Sequence, residues 1–337
     1  MLFWLFFSAF VAAFILILSY IDIAKKYGIV DKPDARRNHI GELVRGGGIV
    51  LLLCSIVTYI AYLHFYEMGI VMTKGLKILL ISLILGLIFF IEDIRQIRRS
   101  IRFFTQILCA VLGAIACKDA VVIFEIPYIL NFILVVIGWV WFMNLYNFMD
   151  GIDGITASNT LFFLFAIILI VANIAGGTAL ELKWVCVWII PAFLAFLLLN
   201  WHPSRIIIGD SGSIAFGFIL GYIFLELSSL VGLVIPIILC SYYLLDSGIT
   251  IASRLLKKED ITTPHSKHFF QIAVRGGLKP NQICYTIMCA NIANFGLTYM
   301  LLLRNNTLNI TLSIALCGII NACILRFFYS HRKFHRA

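Results

Sequence analysis

Eleven apolar segments run along this chain, at roughly 2–21, 47–66, 76–92, 101–117, 128–146, 157–175, 184–200, 212–228, 230–256, 281–303 and 308–328. An α-helix needs about 20 apolar residues to cross bilayer hydrocarbon. Most of these segments approach that length. Within lipid each backbone N–H and C=O must be satisfied inside the segment, so runs of this kind specify helices. The expectation is an all-α, polytopic integral membrane protein of about 11 (10–11) transmembrane helices, forming a single domain over residues 1–337. Segment 101–117 is short and opens next to Arg102, and 230–256 is long enough to bend or break at Pro236 or Gly248. Composition agrees, because 62% of residues are hydrophobic and 13% charged, and a soluble domain of this size cannot bury that much apolar surface. Met1–Tyr20 lacks a basic leader and a small-x-small cleavage site, so it reads as the first span. The nine cysteines lie mostly in apolar segments without a Cys-x-x-Cys pair, and read as small polarizable packing residues.

Charge fixes an expected orientation. With eleven spans, one side of the membrane carries 21 of the 26 Lys and Arg residues and 12 of the 17 acidic ones. The whole net charge of +9 falls there. By the positive-inside rule that side is cytoplasmic, with the N-terminus outside and the C-terminus inside. The excess of basic residues is therefore accounted for by topology, and no nucleic-acid partner is expected.

The same side collects every polar constellation, in connectors 22–46, 92–100, 144–156, 200–213 and 246–280. The first holds Asp31, Arg36, Arg37 and His39, then Arg45-Gly46-Gly47-Gly48. Basic side chains followed by glycines suit an anion, since glycine lets backbone N–H groups approach phosphate. The second holds the adjacent carboxylates Glu92 and Asp93, which repel and need a cation, a proton or arginine partners. The third, Asn144-Leu-Tyr-Asn147-Phe-Met-Asp150-Gly-Ile-Asp153-Gly-Ile, spaces amides and carboxylates by three. Hard oxygen ligands of this type suit Mg²⁺, which is held by one or two protein groups plus phosphates and waters. The fourth runs from Asn200 to Gly209-Asp210-Ser211-Gly212-Ser213 directly before an apolar segment. Helix-start N–H groups there favour an anion, and Asp210 is positioned to ligate a cation on the same phosphates. The fifth holds Asp246, then His265, Lys267, His268 and Arg275, a set able to hold phosphate or relay a proton.

In this order and on one face, these blocks resemble the polyprenyl-phosphate N-acetylhexosamine-1-phosphate transferases of glycosyltransferase family 4, the MraY/WecA type. The Asn144–Gly154 and Gly209–Ser213 runs are the specific parts, over about residues 30–275. The Arg-Gly-Gly-Gly run resembles the subgroup that initiates O-antigen or other surface polysaccharides. The resemblance implies a bacterial plasma-membrane enzyme that transfers a sugar 1-phosphate from a UDP-N-acetylamino sugar to undecaprenyl phosphate, releasing UMP, with Mg²⁺, or Mn²⁺ in its place, as cofactor. It implies that Asn147 and Asp210 hold the metal, and that Asp150 and Asp153 help form the uridine pocket. It places Glu92 and Asp93 near the lipid phosphate or metal, and His265 and His268 with Lys267 and Arg275 on the sugar-phosphate side. Asp31, Arg36, Arg37, His39, Arg45, Asn144 and Asn200 complete the expected substrate-binding set. Glu92 stands where the family has Asp, Ser266 where it has Arg, and Val44 where it often has Pro. A transporter, which needs charges deep within several spans, and a CDP-alcohol phosphotransferase, which needs a longer Asp-Gly pattern, are the rival readings.

Overall fold

Apolar runs that must satisfy their own backbone become helices almost throughout. The computed structural model describes residues 1–31, 43–65, 73–172, 174–260, 263, 265–304 and 306–332. In chain order the elements are α1 (Leu2–Lys26), the short antiparallel pair β1 (Val30–Asp31) and β2 (Leu43–Val44), α2 (Gly47–Phe65), α3 (Lys74–Ile94), α4 (Arg99–Ala116), α5 (Tyr128–Met149), α6 (Ile155–Val171), α7 (Gly177–Asn200), α8 (Gly209–Val231), α9 (Val234–Leu239), α10 (Ser241–Leu256), α11 (Phe269–Arg275), α12 (Pro280–Leu303) and α13 (Thr307–Ser330). Among the described residues nine helices have the length and apolarity to cross a bilayer, and α6 is shorter. The expected 230–256 segment is broken at Cys240, between α9 and α10. Pro236 is not the break, because it lies in the first turn of α9, where its missing N–H has no helical partner. Gly248 sits inside α10 without interrupting it. Helix α4 starts at Arg99, so Arg102 is carried on a helix rather than preceding one.

The centre is α8, which packs against α2, α3 and α5 and buries nearly every residue from Ser211 to Leu227. Close approach sets its position. A Cβ on Gly48 would overlap the backbone of Gly212, so α2 and α8 cross on a glycine pair. The N–H groups of Gly47 and Gly48 donate to Ile207 O (3.1 Å) and Ile208 O (2.8 Å), and Ile207 N–H donates to Val44 O (2.8 Å). The glycines expected to cradle phosphate are therefore committed to a seam between the first and fourth connectors.

Buried amides join the other helices. Asn291 of α12 donates to Asn159 of α6 at 2.6 Å, and Asn294 of α12 and Asn321 of α13 both donate to Ser241 of α10 at 2.9 and 3.0 Å. Between apolar helices in lipid, such hydrogen bonds fix partners where hydrophobicity does not discriminate.

Candidate active site

The start of α8 carries the backbone N–H groups expected to meet an anion, and the anion there is the protein's own. Asp93, at the end of α3, accepts from Asp210 N–H (2.9 Å) on Oδ1 and from Ser211 N–H (3.0 Å) on Oδ2. Arg45 Nε donates to the same Oδ1 at 2.8 Å. Gly209 makes this possible, since it holds φ +74° and a Cβ there would press on the Asp93 carboxyl at 2.6 Å. The Asp93 side chain has no exposed surface. It ties α3, the first connector and the start of α8 together directly behind Asp210.

Asp210 is the exposed counterpart, with 19% of its side chain open. Three groups converge on it: Arg102 Nη2 at 3.2 Å, Arg45 Nη2 at 3.6 Å and Asn147 Nδ2 at 3.1 Å. Asn147 also donates to Ser213 Oγ at 2.7 Å. Arg102 Nη1 reaches Glu92 Oε1 at 3.0 Å, and Glu92 Oε2 accepts Ile97 N–H at 2.5 Å. Glu92 thus orients Arg102, using the extra methylene that separates it from Asp. Burial pulls the Arg45 guanidinium down, but Asp210, Asp93 and Glu92 together push it above its ordinary value, so it stays charged. Arg102 was absent from the expected site, although its place at the mouth of an apolar segment was the visible signal.

The Asp150–Gly154 turn is tied to both neighbours. Asp150 accepts Thr156 Oγ1 at 2.6 Å. Burial drives its carboxyl up to about 7, opposed by the Thr156 hydrogen bond and reinforced by Asp210 and Asp93. Asp153 receives Ser204 Oγ at 2.7 Å and Ser204 N–H at 3.3 Å and sits 2.7 Å from His202 Nδ1. Asn200 accepts Gly154 N–H (3.1 Å) and donates to Ile206 O (2.8 Å). Asp153 and Asn200 therefore clamp the third connector to the fourth. Asn144 is turned toward α4, donating to Gln106 Oε1 at 2.8 Å and to Val140 O at 2.7 Å.

The histidine block docks onto this turn. Phe148 and His268 rings lie 6.1 Å apart, and a Cβ on Gly151 would press on Gln271 and Phe270 at 2.9 Å. Asp246, fully buried on α10, sits 2.9 Å from His268 Nδ1 and accepts Phe269 N–H (3.2 Å), Phe270 N–H (3.4 Å) and the Tyr242 hydroxyl (3.0 Å). This fixes the His268 ring and leaves Nε2 for a proton or a phosphate oxygen. His265 stacks on His268 at 5.0 Å. Burial, then His268, Arg254 and Lys267, bring it down to about 4, so it is neutral at pH 7. Lys267 is turned to Glu259 at 2.6 Å, and Arg275 bonds the carbonyls of Ser266 and Gln271. Asp31 is buried in β1. Arg36, Arg37 and His39 lie outside the described residues.

Among the described residues no three of His, Cys, Asp and Glu gather as a metal cage. What is present is one partly open carboxylate and a carboxamide next to it, which fits a hard cation completed by substrate oxygens and water, not an all-protein site. Asn147 presents its amide nitrogen to Asp210, and a half-turn about χ2 presents Oδ1 instead.

At the opposite end of α8, Glu226 is buried and paired with Lys74 at 3.2 Å, and Glu181 accepts Gly75 N–H at 2.6 Å. These are helix-end contacts between neighbours.

Residues 75–228 match glycosyl transferase family 4. A Bacillus subtilis protein named "Probable undecaprenyl-phosphate N-acetylglucosaminyl 1-phosphate transferase" is 27% identical over 76% of this chain and 72% of its own length. Phospho-N-acetylmuramoyl-pentapeptide-transferases of Streptococcus uberis and Staphylococcus saprophyticus are each 28% identical, over 60% and 51% of this chain. These two matches span 65% and 58% of the relatives' own length, under two thirds in each.

Proposed function

We propose, from the premise that this chain belongs to glycosyl transferase family 4, that it moves an N-acetylamino-sugar 1-phosphate from a UDP-sugar to undecaprenyl phosphate at the cytoplasmic face of a bacterial plasma membrane. An oxygen of the lipid phosphate attacks the β-phosphorus of the nucleotide sugar. The bond from that phosphorus to the bridging oxygen breaks, UMP leaves with the electron pair, and a lipid-linked pyrophosphoryl sugar remains. The lipid phosphate is already ionised near neutral pH, so the protein has more positioning and neutralising to do than proton abstraction.

The observation that carries this reading is the Asp210 cluster. Two guanidiniums, one carboxylate and one carboxamide from four separate stretches of the chain meet within 3.6 Å. Asp210 and Asn147 would hold Mg²⁺, whose contribution is to neutralise and polarise phosphate oxygens. Arg45 and Arg102 stand beside the same point, ready to exchange a carboxylate partner for phosphate oxygens. His268, fixed by Asp246, offers Nε2 to the departing phosphate. Asp150 and the turn behind it supply a wall for the nucleoside.

The Bacillus subtilis relative matches 76% of this chain, against 60% and 51% for the Streptococcus uberis and Staphylococcus saprophyticus pentapeptide transferases, so UDP-N-acetylglucosamine is the first donor to test. The Arg-Gly-Gly-Gly run supports a role in starting a surface polysaccharide. Membranes containing the protein are given undecaprenyl phosphate and a mixture of UDP-N-acetylamino sugars in Mg²⁺, and the lipid products are read by mass spectrometry. The expected result is one pyrophosphoryl-linked product with release of UMP, stopped by EDTA. No product from any donor, or release of CMP from a CDP-alcohol, overturns the reading.

A further inference from the structure

The short helix α11 has two faces with different neighbours. Phe270 and Gln271 press on the Gly151 turn, while Phe269, Ile272 and Arg275 face away from it into a cavity of about 480 Å³ between α10, α11 and the end of α13. Among the described residues the lining carries five basic side chains, Arg254, Lys257, Lys267, Arg275 and Arg332, and one carboxylate, Glu259. That carboxylate is already engaged by Lys267 (2.6 Å) and Arg254 (3.2 Å). Arg275 is brought below its ordinary value by burial and then by the like charge of Arg332. The walls pack closely, because a Cβ on Gly276 would press on the His331 carbonyl at 2.5 Å and the Phe269 and Tyr329 rings meet at 6.1 Å.

Like charges gathered in a cavity cost free energy unless a counter-charge enters. Arginine forks pair with phosphate through parallel N–H donors, and lysine adds a point charge. The remaining lining is apolar, with Ile249, Phe269, Ile272 and Tyr329, and Leu255 and Leu256 are exposed on α10 just before Lys257. This pairing of a cationic mouth with apolar walls is what a group at the boundary of water and hydrocarbon requires.

We propose that this cavity is a second anion site, separate from the Asp210 cluster, that binds a phosphate-ester group. The inference does not depend on the transfer reaction. Its ligand chemistry is shared by an anionic phospholipid headgroup and by soluble phosphate, and the experiment separates the two.

The full-length protein in detergent is examined by native mass spectrometry with phosphatidylglycerol, with phosphatidylcholine, and with phosphatidylglycerol plus inorganic phosphate. The probes are repeated on Lys257→Gln/Arg332→Gln, on the charge-keeping Lys257→Arg/Arg332→Lys, and on Arg304→Gln as a control cation elsewhere. Retention of phosphatidylglycerol over phosphatidylcholine, weakened at least about tenfold in the glutamine variant and kept in the other two, supports the site. Resistance of that retention to inorganic phosphate assigns a lipid headgroup. Displacement by inorganic phosphate, with the same variant dependence, assigns the bare phosphate group. Equal retention of both lipids with no effect of phosphate, or a glutamine variant that binds like wild type, overturns the proposal. Should the double glutamine variant fail to purify, the two single variants carry the same comparison.

Discussion

The two ends of α8 carry similar chemistry and opposite designs. At one end Glu226 of α8 and Lys74 of α3 form an ion pair with the carboxylate almost wholly buried. At the other, Asp210 of α8 stays partly open, and its partners come from the loop before α2, from α4 and from α5. The difference is what stands behind each carboxylate. Asp93 takes the backbone N–H groups at the start of α8, so Asp210 is not spent on capping its own helix. Glu226 has no such deputy and is used up by the packing it secures. On the proposed reading, the carboxylate left open for substrate is the one whose structural duty has been given to a neighbour.

The sharpest way to break the comparison is Asp210→Asn. It removes the open carboxylate and leaves two guanidiniums without it. Turnover should fall by at least about a hundredfold, the order seen when one electrostatic group is lost from a reaction centre, while the protein still inserts and unfolds near the wild-type temperature. Next is Asp93→Asn, which breaks a buried pair with Arg45 and uncaps α8. A loss of about 3–5 kcal/mol is expected, read as a lower midpoint of thermal unfolding in detergent, with activity falling because the site loosens. Glu226→Gln tests the closed end. It should lower thermal stability by about 1–3 kcal/mol and leave turnover close to wild type. If turnover collapses there instead, the two ends are not distinct in the way described.

The smallest effect concerns pH. The Asp150 carboxyl stands near 7 in the folded chain and near 4 when unfolded. The folded state therefore binds the extra proton, and this contribution to stability is full below about 4 and lost as pH rises through about 7. In divalent-free buffer the wild-type unfolding midpoint should drop more between pH 5 and 7.5 than that of Asp150→Asn. Equal slopes would remove burial of Asp150 from the account.

Much of this was legible in the sequence, for reasons that differ by region. The helices follow from apolar length alone, because lipid leaves the backbone no alternative. The two blocks holding Asn147 and Asp210 were legible because polar groups at a membrane edge are scarce, while their pairing came only from the family resemblance of those blocks. The roles of Asp93 and the glycine run were not. A carboxylate next to Arg45 in space but 48 residues away in sequence gives no local sign that it caps a helix beginning at residue 209. Glycines that approach phosphate and glycines that approach a helix backbone look the same as letters. Arg102 was missed because it reads as a flaw in an apolar span, and Asp246 was named with its connector but not as the partner of His268, which lies 22 residues on. The break at Cys240 also left no mark, while the proline and glycine that do look like breakers are absorbed.

The most direct test of the open end is cation binding itself. Mn²⁺ is titrated into the full-length protein with UDP-N-acetylglucosamine present, and bound ion is counted by electron paramagnetic resonance in wild type, Asp210→Asn and Glu226→Gln. The account predicts one nucleotide-dependent ion per chain in wild type and Glu226→Gln, and its loss in Asp210→Asn. Equal binding in all three proteins would contradict it.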